Sequence, residues 1–69
     1  MFKIGDKVKV NKDIPSINGM LREGTMVRID HISSDALVAT QISHPNNKNL
    51  RVKDDLGKIW YLNEEDING

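Results

Sequence analysis

The chain has 69 residues, no cysteine, and ten lysines and arginines balanced by ten aspartates and glutamates. A chain this short supports one small core, burying only about 60% of the surface its unfolded form exposes, and without cysteine it has no disulfide or thiolate metal site to reinforce that core. Zero net charge lacks the basic excess of most phosphate binders, no apolar run approaches the roughly 18 residues of a membrane span, and the opening MFKIGDKV lacks a signal peptide's apolar stretch; the expectation is one cytoplasmic domain over residues 1–69.

The first strand is predicted over Asp6–Asn11, where Val8 and Val10 alternate with Lys7 and Lys9. Gly5-Asp6 before it is a turn pair. Lys12–Gly19 is predicted as a loop: Pro15 biases Ile14 toward extended backbone, and Asn18-Gly19 tolerates positive φ. Ile14 and Ile17 are expected to tuck back over the core. Gly24–Ile32 is the second strand, with Val27 and Ile29 on one face and Met26, Arg28 and Asp30 on the other. Ser33-Ser34-Asp35 turns the chain into a third strand over Ala36–Ile42, rich in β-formers and small residues.

Ser43–Asn49 is a polar loop and the segment expected to be most mobile. Leu50–Lys53 alternates again and predicts a fourth strand, closed by an Asp54–Gly57 hairpin turn. Lys58–Leu62 is the fifth strand. Its alternation phases Trp60 inward with Leu62 and Tyr61 outward. Asn63–Asp66 reads as a single capped helical turn, a short 3-10 turn near the C-terminus, with Asn63 as cap and acids in its first turn. Ile67 then closes the core. The expected buried set is Val8, Val10, Val27, Ile29, Val38, Val52, Trp60 and Ile67. Five short strands with turn signals about every 8–12 residues, and no sustained helical period, make the fold class all-β, a small barrel.

The order KIGDKVKV, a loop, GMLREGTMVRI, a polar third strand, then GKIWYLNEEDI resembles SH3-like barrels. Within that group it is similar to KOW-type domains and to small stand-alone barrel proteins of Gram-positive bacteria and their phages. The resemblance covers nearly the whole chain. It implies a five-stranded barrel in which Gly24 turns the chain into the second strand and the aromatic strand with Glu65-Asp66-Ile67 closes the structure. Such motifs specify a fold and leave the function open. Peptide-binding SH3 domains grip polyproline with an aromatic-lined groove. Phe2, Trp60 and Tyr61 are the only aromatic residues here, so a polyproline receptor is not expected.

No catalytic constellation is present in the sequence. His31 and Asp30 are adjacent in a strand and point to opposite faces, and Ser33 and Ser34 belong to a turn with no oriented base. Two histidines, His31 and His44, without cysteines make no zinc site. Glu64-Glu65-Asp66 reads as helix-start acids rather than a cation site. Gly5, Gly19, Gly24 and Gly57 are isolated turn glycines, not a phosphate cradle. No enzyme activity, cofactor or metal is expected.

Two sets of outward residues remain. Lys7, Lys9, Arg28, Arg51 and Lys53 fall at outward strand positions, where the favoured reading is a solvated face that blunts strand edges; a protein contact or a candidate nucleic-acid face of the KOW kind are the alternatives. Residues 1–60 carry ten cations against seven anions, and Glu64, Glu65 and Asp66 restore neutrality. Tyr61, Met20, Met26 and Ile17 form a candidate apolar patch for a protein partner, with methionine supplying an adaptable surface. The leading expectation is a protein-interaction module, a small phage or mobile-element protein that binds and modulates a larger host protein in the host cytoplasm. The alternative is a nucleic-acid-binding domain.

Overall fold

A computed structural model of the protein describes residues 2–17 and 19–67. Six strands run in the order β1 (Lys7–Lys9), β2 (Ile14–Ser16), β3 (Gly19–Leu21), β4 (Met26–Ile32), β5 (Leu37–Gln41) and β6 (Ile59–Leu62). A 3-10 turn, Lys48–Leu50, precedes β6, and a one-turn helix, α1 (Glu64–Ile67), follows it. Strands β1, β4, β5 and β6 make an antiparallel sheet in the order β1-β4-β5-β6. Strands β2 and β3 make a separate antiparallel hairpin. The fold is all-β as expected, but among the described residues there are six strands rather than five, and their two sheets do not close into a barrel.

The core is Val10, Leu21, Val27, Ile29, Leu37, Ala39, Trp60, Leu62 and Ile67, with Phe2, Val8 and Ile14 packed partly against it. Alternation gave the correct inward phase for β1, β4 and β6. It failed on β5, where Val38 is half-buried and Leu37, Ala39 and Gln41 are the buried residues. The reason is pairing. Directly opposed residues of an antiparallel pair share a face, and Ala39 lies opposite both Ile29 and Trp60. Two inward side chains therefore hold Ala39 inward between them, and Val38 falls on the outer face opposite Tyr61.

The loop predicted over Lys12–Gly19 is instead the first half of a hairpin, with Ile14 opposite Leu21 and Pro15 opposite Met20. Pro15 is tolerated because, among the described residues, β2 is an edge strand that pairs with β3 alone. Gly19 has φ +121, which only glycine adopts readily. Asn18, its expected turn partner, lies outside the described residues. Ile14 does pack on the core, whereas Ile17 is fully exposed at the hairpin turn.

The strand expected over Leu50–Lys53 does not form. Asn47 Oδ1 accepts from the Asn49 N–H at 3.0 Å, and the Arg51 N–H donates to the Lys48 carbonyl at 3.3 Å. These local bonds give the backbone an alternative to a ladder. Val52 is accordingly 54% exposed and is not a core residue. The polar loop before it contacts the body of the fold: Pro45 is buried, and Ser43 Oγ accepts from the Met26 N–H at 3.0 Å.

The C-terminal turn is α-helical, and its acids do not all face water. Asp66 is buried, and its Oδ2 accepts from the Asn63 N–H at 2.9 Å. Its Oδ1 lies 3.2 Å from Lys12 Nζ. Ile67 closes the core as expected.

Candidate functional site

The hairpin lies beside β6, and between them runs a groove of about 170 Å³. Ile14, Pro15 and Ile17 line one side, and Ile59, Trp60 and Tyr61 the other. Alternation along β6 sends Trp60 and Leu62 into the core and leaves Ile59 55% and Tyr61 74% exposed. Ile17 is 103% exposed. Trp60 backs the groove and is fixed in place. Its Nε1 donates to Gln41 Oε1 at 3.0 Å, and Lys58 Nζ sits 5.9 Å from the ring centroid.

Of the four candidate partner residues, Ile17 and Tyr61 meet at this groove. Met20 is across the hairpin from Pro15 and 39% exposed. Met26 stands apart, half-buried at the start of β4 opposite Lys9. Ile59 and Pro15 were missed. Ile59 was within reach of the sequence, since it shares Tyr61's face two residues away. Pro15 required knowledge of the hairpin pairing.

The outer face of the four-stranded sheet grades from cationic to apolar. Lys7 is opposite Arg28, Arg28 opposite Thr40, and Thr40 opposite Ile59. Arg28 is not a free cation: its Nε donates to Asp30 Oδ1 at 2.9 Å. Asp30 Oδ2 accepts from the Thr40 hydroxyl. The Thr40 hydrogen bond first, and the Arg28 guanidinium second, hold the exposed Asp30 carboxyl below its ordinary 3.8. Asp30 is thus engaged with Arg28 and Thr40, and His31 beside it is exposed.

Lys7, Lys9 and Arg28 occupy neighbouring positions on β1 and β4. Arg51 and Lys53 do not join them as outward strand residues, because their segment is not a strand. Arg51 Nε instead donates to the Pro45 carbonyl at 3.1 Å. Among the described residues no three His, Asp or Glu side chains gather as metal ligands, and no helix is long and apolar enough to cross a membrane.

The chain was compared with family models, with curated proteins and with solved structures, and none of them matches it.

Proposed function

We propose that the protein is a non-catalytic interaction module of SH3-like type that binds a larger protein through the groove between the hairpin and β6. The carrying observation is the cluster of Ile17, Ile59 and Tyr61, exposed around one groove that the buried Trp60 holds in shape. Covering apolar surface contributes roughly 25 cal/mol per Å², and clustered exposed apolar residues mark partner surfaces on small proteins. Tyrosine offers large contact area at low entropy cost. The resemblance to small phage barrel proteins supports a host protein as the target and a phage or mobile element as the source.

The test is capture from a nuclease-treated lysate by the native chain, by Ile17→Asp and by Tyr61→Ala. Both substituted side chains are exposed, so both variants keep the native circular dichroism spectrum. The expected result is a stoichiometric protein captured by the native chain and lost by both variants. Capture that neither substitution weakens overturns the reading.

A second reading rests on the adjacency of Lys7, Lys9 and Arg28 on the outer face. Three phosphate contacts on duplex DNA give a log–log salt slope of about −2.7. The Arg28–Asp30 pair weakens this reading, because one of the three cations already has an anion. Sub-micromolar DNA or RNA binding at about 150 mM salt, where the Debye length is ~8 Å, decides in its favour if Lys7→Glu/Lys9→Glu abolishes it.

A further inference from the structure

The four-stranded sheet ends on β1, and among the described residues no strand pairs with the outer edge of β1. The bonds to β4 fall on alternate residues. The Ile29 N–H donates to the Asp6 carbonyl at 2.9 Å, and the Val10 N–H donates to the Thr25 carbonyl at 2.9 Å. Val8 lies opposite Val27 between them. The N–H and C=O groups of Lys7 and Lys9 therefore point away from β4.

Asn11 is the next residue in that outward series, and it shows what the edge accepts. Its N–H donates to the Asp66 carbonyl at 2.8 Å, and its side-chain Nδ2 donates to the Glu65 carbonyl at 2.9 Å. Among the described residues, backbone of α1 bonds this edge at Asn11. Beside this edge an open groove of about 620 Å³ is lined by Val8, Lys9, Val10, Asn11 and Ile67, together with Glu23, Gly24 and Asn46.

We propose that this edge is a strand-addition site for an extended segment of a partner protein that alternates apolar and acidic residues. Main-chain bonds to Lys7 and Lys9 supply the attachment, and alternate side chains supply the selectivity. Side chains on the core side of the added strand meet Val8 and Ile67, so they are apolar. Those on the outer side stand beside Lys7 and Lys9, neither of which has an ion pair among the described residues; they are acidic.

The same lysines disfavour a second copy as occupant. Antiparallel β1–β1 pairing centred on Val8 sets Lys7 of one copy against Lys9 of the other, and like charges directly opposed are destabilising. The site is on the sheet edge opposite β6, so it stands or falls apart from the apolar groove.

The test is titration of the isotope-labelled protein with ten-residue peptides in which valine alternates with glutamate or with lysine. The glutamate peptide is expected to shift the amide signals of Lys7 and Lys9, slow their hydrogen exchange and leave Ile17 and Tyr61 unmoved. Two rim ion pairs set its affinity about tenfold above that of the lysine peptide. Two further glutamate peptides, N-methylated at complementary alternate positions, need no change in the protein. One is expected to bind and the other not, because only one set of amides faces β1. No perturbation at Lys7 and Lys9, equal affinity for both charges, or equal tolerance of both methylation patterns overturns the proposal.

Discussion

Trp60 and Gln41 are joined inside the core: the indole Nε1 donates to the Gln41 side-chain Oε1 at 3.0 Å, on adjacent strands β6 and β5. The other end of that amide, Nε2, donates to the Ser43 carbonyl at 3.0 Å. A 2% exposed glutamine is thereby satisfied at both ends, and it ties the groove-backing tryptophan to the start of the polar loop. Buried polar groups persist when every partner is present.

Gln41→Leu keeps the volume and removes both bonds. It leaves the indole N–H and the Ser43 carbonyl without these partners, at a cost of about 1–3 kcal/mol for each group that stays buried. In a domain of marginal stability that is a large shift of the urea midpoint. An unchanged midpoint, with unchanged tryptophan emission, is the result that refutes the bond.

Ala39 tests the phase of β5. It is fully buried between Ile29 and Trp60, so Ala39→Leu overpacks the core and costs about 1–3 kcal/mol. Val38→Leu, on the half-buried outer face, is expected to change stability by less than about 1 kcal/mol. Thermal unfolding of the two variants side by side gives the answer, and the reverse order of severity contradicts the phase.

Asp66 ties the helical turn to the hairpin entry. Asp66→Ala removes both the bond from the Asn63 N–H and the contact with Lys12 Nζ, a loss of about 1.5–3 kcal/mol for hydrogen bonds to a buried charge. Lys12→Ala removes the exposed partner alone and is expected to cost less, about 1 kcal/mol or below. A double-mutant cycle by urea denaturation measures the coupling. Equal costs for the two single variants contradict this assignment of roles.

Asp30 contributes a pH dependence to stability. Its folded pKa lies below the ordinary 3.8, with the Thr40 hydroxyl as the main cause. A depressed carboxyl pKa stabilises the fold fully above the unfolded value, and that contribution is lost as pH falls through the folded value. The window is therefore below about 3.8, and solvent screening at this exposed site keeps the effect small. Thr40→Val is expected to move the Asp30 titration upward toward its ordinary value, followed by side-chain NMR. A titration that stays put assigns the depression to Arg28 instead.

Strand existence and face were readable at β1, β4 and β6, where polar residues mark one side of the strand, although the same alternation at Leu50–Lys53 forms no strand. Lys7 and Lys9 flank Val8, Arg28 separates Val27 from Ile29, and Tyr61 separates Trp60 from Leu62. Alternation is a local property of the backbone, so each segment carries it unaided. The exposed pair Ile17 and Tyr61 was likewise within reach of sequence, and so were the outward Lys7 and Lys9. Only the tertiary structure could phase ALVATQI, because both of its faces hold apolar side chains, and opposition to Ile29 and Trp60 decided between them. The same holds for the hairpin around Pro15, for the local turn that displaces a strand at Arg51, and for the open edge of β1. Each depends on which distant segment supplies the backbone partner, and pairing between distant segments is not encoded in any one strand's own pattern.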